Sequence, residues 1–553
     1  MKKRKFIGLA LMGLCATIGL ASCGSNNNDQ ASKPQIINVK GDKGDKGDKG
    51  DKGDNGTNGL TPYIGENGHW WIGNEDTGAV AKEAEVKTPK YVFMFIGDGM
   101  TYPQFQSASY YLGAMNQGLD NGDKKNVVGM AGGQSLSFMN FDTVGTATTY
   151  DATSFAPDSA STATSLATGQ KTWSGSINVS LDFTQKYETI AEKLKKQKDY
   201  KVGIVTSVNL NHATPAAFYA HNKSRNNYFD LGKELISSDF DYFAGGEFLG
   251  RTSAGQDLHS LAADAGYNVV TTQAQAATLK AGDKAIVIAE NQADSGSISY
   301  EIDRKEGEWA LSDYVEKGID VLDNDKGFFM MVEGGKIDWA CHANDAATSI
   351  KDTLALSNAV DEAIEFYNEH PDDTLIIVTG DHETGGLSLG YAGTNYDTYL
   401  TNLANQKISF KKYDDEYIAK YKTNNTSFED VLKDVENLFG LVTQANATAT
   451  IKKQLILTAE ELAKLEEAYK QTMRTSTSNM TQAEKKINYG SYTPLSVTIT
   501  HLLNNKSGIA FTSYAHTGLP TAVFALGQTA SLFDGYYDNT DIYKRIAALV
   551  EVE

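Results

Sequence analysis

Cysteine is nearly absent from this chain of 553 residues, which has 3: Cys15, Cys23 and Cys341. Cys15 lies in a leader expected to be cleaved and Cys23 at an expected modification site. One thiol then remains, which excludes an intrachain disulfide. Positive charge is also short, with 50 Lys and Arg against 70 Asp and Glu, a net charge of −20. Nothing in such a balance neutralises a phosphate backbone, so nucleic acid is excluded as a specific partner. Small phosphorylated substrates are not excluded, because bound metal ions reverse a local field. No apolar run reads as a membrane span. Phe6 to Leu20 is too short to cross comfortably and leads into polar sequence. Histidine is scarce as well, with 9 in the chain.

What is there begins with Met1-Lys2-Lys3-Arg4-Lys5, a cationic stretch ahead of that apolar run. The pair reads as a secretory signal peptide over residues 1–22. Leu20-Ala21-Ser22-Cys23 looks like a bacterial lipobox, which implies cleavage before Cys23, acylation of its thiol and a lipidated tether over 23–40. An ordinary signal peptide with a chance Cys is the alternative. Stable anchoring takes more than one acyl chain, and lipoproteins of this kind usually carry three. The expected location is the cell envelope, on the periplasmic side or the outer-membrane surface. Gly41, Gly44, Gly47, Gly50, Gly53, Gly56 and Gly59 then recur at every third position. That is the period of a collagen-like triple helix, but the triplets are few and carry no Pro. A flexible charged stalk is the preferred reading of 41–59. Residues 60–87 hold a compact aromatic patch, Pro62 to Ile72 with Trp70 and Trp71. A small β module is expected there, with a carbohydrate-binding surface as the alternative.

From residue 88 to 553 the texture is globular, and 41% apolar residues suffice for a large core. Tyr91 to Ile96, Val202 to Thr206, Phe328 to Val332 and Leu375 to Thr379 are almost continuously apolar. Strands covered on both faces read this way. Helical patterns lie between them, around Thr189 to Lys196 and Asp352 to Tyr367. The expected fold is α/β, with a central, mostly parallel sheet flanked by helices. Each strand leads into polar residues: Asp98; His212 and Thr214; Glu333 and Asp338; Asp381 and His382. Ligands bind at that edge of open α/β sheets. Residues 392–496 are rich in Lys, Asn, Thr and Glu and contain a clear helix, Ala459 to Thr472. They read as an insertion, either a crown or lid or a plain surface excursion.

Carboxylate and imidazole recur together as Asp338-x-x-x-His342 and Asp381-His382, with His516 farther on. On a helix Asp338 and His342 would share a face. Such donors suit zinc, and a catalytic site keeps one position open. In Asp158-Ser159-Ala160 a run of small residues follows the Ser and ends at Gly169, a natural helix stop. A Ser there faces the positive end of the helix dipole, where phosphate is also stabilised. A plain helix-capping Ser is the alternative. Cys341, beside His342, reads as a small core residue.

Seven ordered motifs across residues 88 to 530 resemble the alkaline phosphatase family. They are Gly97-Asp98-Gly99-Met100, Asp158-Ser159-Ala160, His212-Ala213-Thr214-Pro215-Ala216, Ser224-Arg225, Glu333-Gly334 through Asp338 to His342, Gly380-Asp381-His382 and His516-Thr517-Gly518. The resemblance implies an enzyme that hydrolyses small phosphate monoesters through a phosphoserine on Ser159. It implies two zinc ions, one on Asp338, His342 and His516 and one on Asp98, Asp381 and His382. It implies magnesium on Asp98, Thr214 and Glu333, with His212 in or near its outer shell. Arg225 would clamp the phosphoryl group and Asp158 would orient Arg225. His212 and Trp339 stand where the best-known bacterial pattern has Asp and Lys. Trp339 cannot supply the charge of a Lys, so phosphate should be held less tightly.

A phosphodiesterase, phosphonate hydrolase or sulfatase of the same superfamily is the nearest rival. A binding lipoprotein, with the large domain a relic, is a rival of another class. The family is commonly dimeric, whereas a triple-helical stalk would favour three chains, so a homo-oligomer is expected without a fixed number. The anchor is testable directly. Cys23→Ser should move the protein from the membrane fraction to the soluble fraction with its turnover unchanged. Retention of a correctly processed variant in the membrane would count against the lipobox.

Overall fold

The computed structural model describes residues 62–65, 69–72, 75–80, 88–118, 120, 132–475 and 480–553. The signal peptide, the lipobox and the glycine repeat lie outside these residues. The chain divides into two compact units, Met1–Glu83 and Ala84–Glu553. In the first, β1 (Pro62–Ile64), β2 (His69–Ile72) and β3 (Glu75–Val80) form an antiparallel meander in which Tyr63 pairs with Trp71. The aromatic patch lies on this meander.

The second unit is built on one sheet of ten strands. In chain order these are β4 (Tyr91–Gly97), β5 (Thr143–Thr148), β6 (Lys201–Asn209), β7 (Tyr242–Gly246), β8 (Asn268–Val270), β9 (Ala285–Ile288), β10 (Phe328–Glu333), β11 (Thr374–Gly380), β12 (Thr521–Leu526) and β13 (Gly535–Asp538). Across the sheet the order is β8-β9-β7-β6-β10-β4-β11-β12-β5-β13. All pairings are parallel except the two made by β12, which runs against β11 and β5.

The four expected strands are the central ones, and their alternation supplies two cores. Tyr91, Phe93 and Phe95 face one apolar layer, while Val92, Met94 and Ile96 face the other. Phe328 and Met330 part from Phe329 and Met331 in the same way. Each such side chain contributes about 1.5–3 kcal/mol by leaving water. Helix α1 (Ser159–Thr168) covers one face through Ala160, Ala163 and Leu166. Helix α2 (Lys336–His342) and the long helix α3 (Ala346–Glu369) cover the other. The outer strands β5, β7, β8, β9 and β13 are short or interrupted by Gly and Thr and do not stand out in the sequence; β12, apolar from Ala522 to Leu526, adds to the four expected strands.

Residues 392–496 carry the helix Ala459–Met473, which opens on a capping box of Thr458 and Glu461. The segment is no solvated excursion. Tyr413, Tyr421, Val431, Val435 and Leu465 belong to the same apolar cluster as Ile350 and Leu356 of α3.

Gly327 leads into β10 with φ +122°, and a Cβ there would lie 2.1 Å from the Lys90 carbonyl oxygen. Gly327→Ala should cost roughly 1–3 kcal/mol in backbone strain alone. The expected readout is a lower denaturation midpoint with unchanged turnover by the folded fraction. An unchanged midpoint would contradict the close approach of β10 to β4.

Candidate active site

The sheet brings five separate segments to its carboxyl edge. Asp98 follows β4, His212 and Thr214 follow β6, Glu333 ends β10, and Asp381 and His382 follow β11. His516 arrives from the far end of the chain. Since β12 runs in the opposite sense, residues preceding it lie at this same edge. A two-residue antiparallel ladder pairs Thr384 with His516 and Glu383 with Thr517.

Ser159 is the first residue of α1, and the cap is Asp158, whose carboxylate accepts from Ser161 N. The helix is almost entirely Ser, Thr and Ala and wholly buried. Burial is tolerable because its hydroxyls bond back into the helix: Thr164 Oγ1 to Ala160 O at 2.8 Å, Thr168 Oγ1 to Thr164 O at 2.7 Å. Its small side chains let α1 pack closely and fix Ser159. Ser159 Oγ lies 3.1 Å from His382 Nε2 and 3.4 Å from Asp98 Oδ1.

The imidazoles show where positive charge belongs. His342 Nδ1 donates to Tyr514 O at 2.7 Å, and His516 Nδ1 donates to Pro157 O at 2.5 Å. The two Nε2 atoms then face each other at 3.0 Å, with Asp338 Oδ1 at 3.4 Å and 3.5 Å. Lone pairs so close repel unless a proton or a cation lies between them. Against the effect of burial, Asp338 raises the proton affinity of His516, so the gap attracts positive charge. His382 Nε2 faces Ser159 and lies 3.3 Å from both Asp98 Oδ1 and Asp381 Oδ2. Burial, and then His516 stacked on it at 3.7 Å, keep His382 well below the ordinary imidazole range, so it is neutral.

The carboxylates make the same demand. Burial first, then Asp381, Asp338 and Glu333, push Asp98 well above the carboxylate range. Burial raises Glu333 to about 7 and Asp381 to about 6. Acids held this way exchange their protons for divalent cations. Three sets of donor atoms lie within 4.8 Å of one another: Asp338, His382 and His516; Asp98, Asp381 and His382; Asp98, His212 and Glu333. His382 occurs in two sets, but its one free lone pair points at Asp98 and Asp381. His342 takes its place beside Asp338 and His516. The first two sets, mixing nitrogen and oxygen, suit zinc. Thr214 Oγ1, 3.4 Å from Asp98 Oδ2, extends the third with oxygen, which suits magnesium.

Arg225 and His212 close one side. Arg225 Nη1 bonds Asp158 Oδ2 at 2.9 Å, and Nη2 donates to His212 Nε2 at 3.1 Å. Burial works against the guanidinium charge, and Asp158 more than restores it. Burial and then Arg225 drive His212 down to about 3, so its ring is neutral and its proton sits on Nδ1. That Nδ1 lies 4.0 Å from Glu333 Oε1, and neither atom has another partner among the described residues. An N–H in that position donates and cannot ligate a metal. His212 therefore belongs outside the direct donors. Trp339 packs edge-on against His212 with centroids 5.8 Å apart. Cys341 lies buried against Ser349 Oγ at 3.1 Å, and burial pushes its thiol well up; it is a core residue.

The structure adds groups that the sequence did not reveal. Thr162, one turn after Ser159, donates to Asp381 Oδ2 at 3.0 Å. Thr384 donates to Asp338 Oδ1 at 2.5 Å, and Thr206 donates to Glu333 Oε2. Gly99 N donates to Asp381 Oδ1 at 3.1 Å. Gly99 has φ +71°, and a Cβ would stand 2.8 Å from Thr384 Oγ1 and 2.9 Å from Asp338 Cα. Only Gly fits there.

The alkaline phosphatase family model matches residues 89–552. Alkaline phosphatase 4 of Bacillus subtilis is 30% identical over 472 residues, covering 84% of this chain and 89% of that protein. A cold-active alkaline phosphatase from a Shewanella species superposes with a TM-score of 0.66 at 28% identity, covering 83% of this chain and 99% of that one. Thermus thermophilus alkaline phosphatase, 22% identical, shares the fold with a TM-score of 0.67 over 84% of this chain and 92% of its own. Five segments carrying acids and imidazoles to a single sheet edge, and a sixth that brings Ser159 among them, in a chain so matched, lead to one conclusion: the chain belongs to the alkaline phosphatase family and is a phosphatase.

Proposed function

We propose that the enzyme hydrolyses small phosphate monoesters through a phosphoserine on Ser159, with two zinc ions and one magnesium ion as resident cofactors. The observation that carries this reading is the surroundings of Ser159 Oγ, 3.1 Å from a neutral imidazole nitrogen and 3.4 Å from a buried carboxylate. A hydroxyl so placed stands where a cation on His382, Asp98 and Asp381 would also hold it. Asp338, His342 and His516 would hold the other zinc. Asp98, Thr214 and Glu333 would hold magnesium, with His212 donating from Nδ1 through water. When bound, the metals supply the charge that lowers the pKa of the Ser159 hydroxyl and stabilises both apical oxygens of an in-line displacement.

The chain's own groups do the rest. Ser159 Oγ, at the positive end of α1, loses its proton and forms the bond to phosphorus. The bond to the alcohol oxygen breaks, and the alcohol leaves with a proton. Arg225, held by Asp158, donates from its planar guanidinium to two equatorial oxygens, where charge accumulates. Water then attacks the phosphoserine from the vacated side, Ser159 is released, and two inversions leave net retention at phosphorus. Trp339 brings no charge to the phosphoryl group, which favours release of inorganic phosphate. The lipid anchor at Cys23 and the 41–59 stalk complete the reading, holding the enzyme in the cell envelope.

Ser159→Ala should lower turnover by at least ~10³-fold while leaving folding and metal content intact. Acid quenching of the wild type during turnover should leave phosphate on the Ser159 peptide, detected by mass spectrometry. Near-normal turnover by the variant, without a phosphopeptide in the wild type, would overturn the assignment.

Chelation should abolish turnover, and zinc with magnesium should restore it. Elemental analysis should then find two zinc ions and one magnesium ion per chain. Full activity in a preparation shown to be free of metal would end the cofactor assignment.

A further inference from the structure

A cleft of about 350 Å³ adjoins the site, lined on one side by His342 and Trp339. Its other walls include Tyr300 and two residues of the inserted segment, Phe410 and Tyr492. These rings form a continuous, braced surface. Tyr300 meets Phe410 edge to face at 5.9 Å between centroids, and Phe410 meets Tyr492 likewise at 5.7 Å. The brace is Lys336. Its buried ammonium lies 3.5 Å from the Tyr300 ring centre and 4.8 Å from that of Trp339. Asp294 Oδ1 and Ser297 Oγ hold it from the other side, each at 2.8 Å. Trp339 and Tyr492 remain half-exposed.

The cleft is also linked to Ser159 by a chain of three imidazoles. From Ser159 Oγ, His382 Nε2 is 3.1 Å away. The His382 ring stacks on His516 at 3.7 Å, and His516 lies 4.9 Å from His342. The cleft begins at His342, the third imidazole along that chain of contacts from Ser159. An in-line displacement expels its leaving group on the face opposite the nucleophile.

We propose that this cleft is a leaving-group subsite. It makes the enzyme selective for phosphate monoesters whose alcohol carries a flat aromatic ring next to the reacting oxygen. A cation seated beneath Trp339 draws electron density from that ring and favours stacking of another ring on its open face. The walls are fixed before substrate arrives, so little conformational freedom is lost on binding. The inserted segment, through Phe410 and Tyr492, is the source of this selectivity. The proposal rests on Ser159 as nucleophile, since that sets the direction of departure.

The test compares benzyl, cyclohexylmethyl and ethyl phosphate with the metal-loaded enzyme. All three release primary alkoxides of similar basicity, so differences report contacts beyond the oxygen. Benzyl phosphate should exceed cyclohexylmethyl phosphate in kcat/KM by about fivefold, the scale of one aromatic contact. Tyr492→Leu, which keeps an apolar contact on Phe410, should bring that ratio close to one. The inhibition constant for inorganic phosphate should not move, and Tyr492→Phe should restore the preference. Equal kcat/KM for the two ring substrates in the wild type, or a ratio untouched by Tyr492→Leu, would overturn the subsite. Failure to hydrolyse any of the three would overturn the phosphatase reading beneath it.

Discussion

Four carboxylates, Asp98, Glu333, Asp338 and Asp381, lie buried at one edge of the sheet, and their mutual repulsion is the constraint on which the rest of this structure turns. Ionised acids removed from water each cost several kcal/mol, and proximity adds to that. Among the described residues one guanidinium, Arg225, stands near them, and it is committed to Asp158 and His212. Asp98, Glu333 and Asp381 must therefore hold protons or share divalent cations, while Asp338, against its burial, is held well below the carboxylate range by His342 and His516. Neutral imidazoles turned inward, hydroxyl donors on three of the acids and a sheet edge that cannot yield are the means by which this fold favours cations.

Rigidity has an identifiable source. Asp98, Glu333 and Asp381 stand at the ends of β4, β10 and β11, whose side chains are buried on both faces. Thr162, Thr206 and Thr384 then fix one oxygen each on Asp381, Glu333 and Asp338. On Asp338 and Asp381 the bonded oxygen is the one that faces the imidazoles, and on Glu333 the hydroxyl leaves Oε1 without another partner among the described residues. The same economy appears in His342 and His516, whose Nδ1 protons go to backbone carbonyls and whose Nε2 lone pairs remain.

The central strands and the site residues were legible in the sequence for related reasons. A strand covered on both faces has no polar face to break its run, so β4, β6, β10 and β11 stood out. The residues just past them were conspicuous because acids, histidines and glycines seldom follow such runs together. The threonines were not legible. A Thr is common anywhere, and Thr162 and Asp381 lie 219 positions apart. Short strands such as β8 and β13 carry too few residues to show a period. Nor did residues 392–496 announce their shared core with α3, because their apolar positions are spaced among Lys, Asn and Glu along several short helices. The neutral state of His212 depends on Arg225 lying across its Nε2, a contact that spacing along the chain does not encode.

The reversed direction of β12 has a consequence in time as well as in space. By running against its neighbours it delivers His516, from the last forty or so residues, to an edge otherwise built from segments before residue 385. A chain emerging from its N-terminus can pair seven of the ten strands, β8 through β11 in the order across the sheet, and gather the four acids while still lacking one imidazole of the donor set and the strand β12 that joins β5 to the rest. Closure of the donor set is thereby tied to the segment that carries β12. A chain stalled before residue 516 carries much of the architecture but lacks the imidazole that faces His342 beside Asp338.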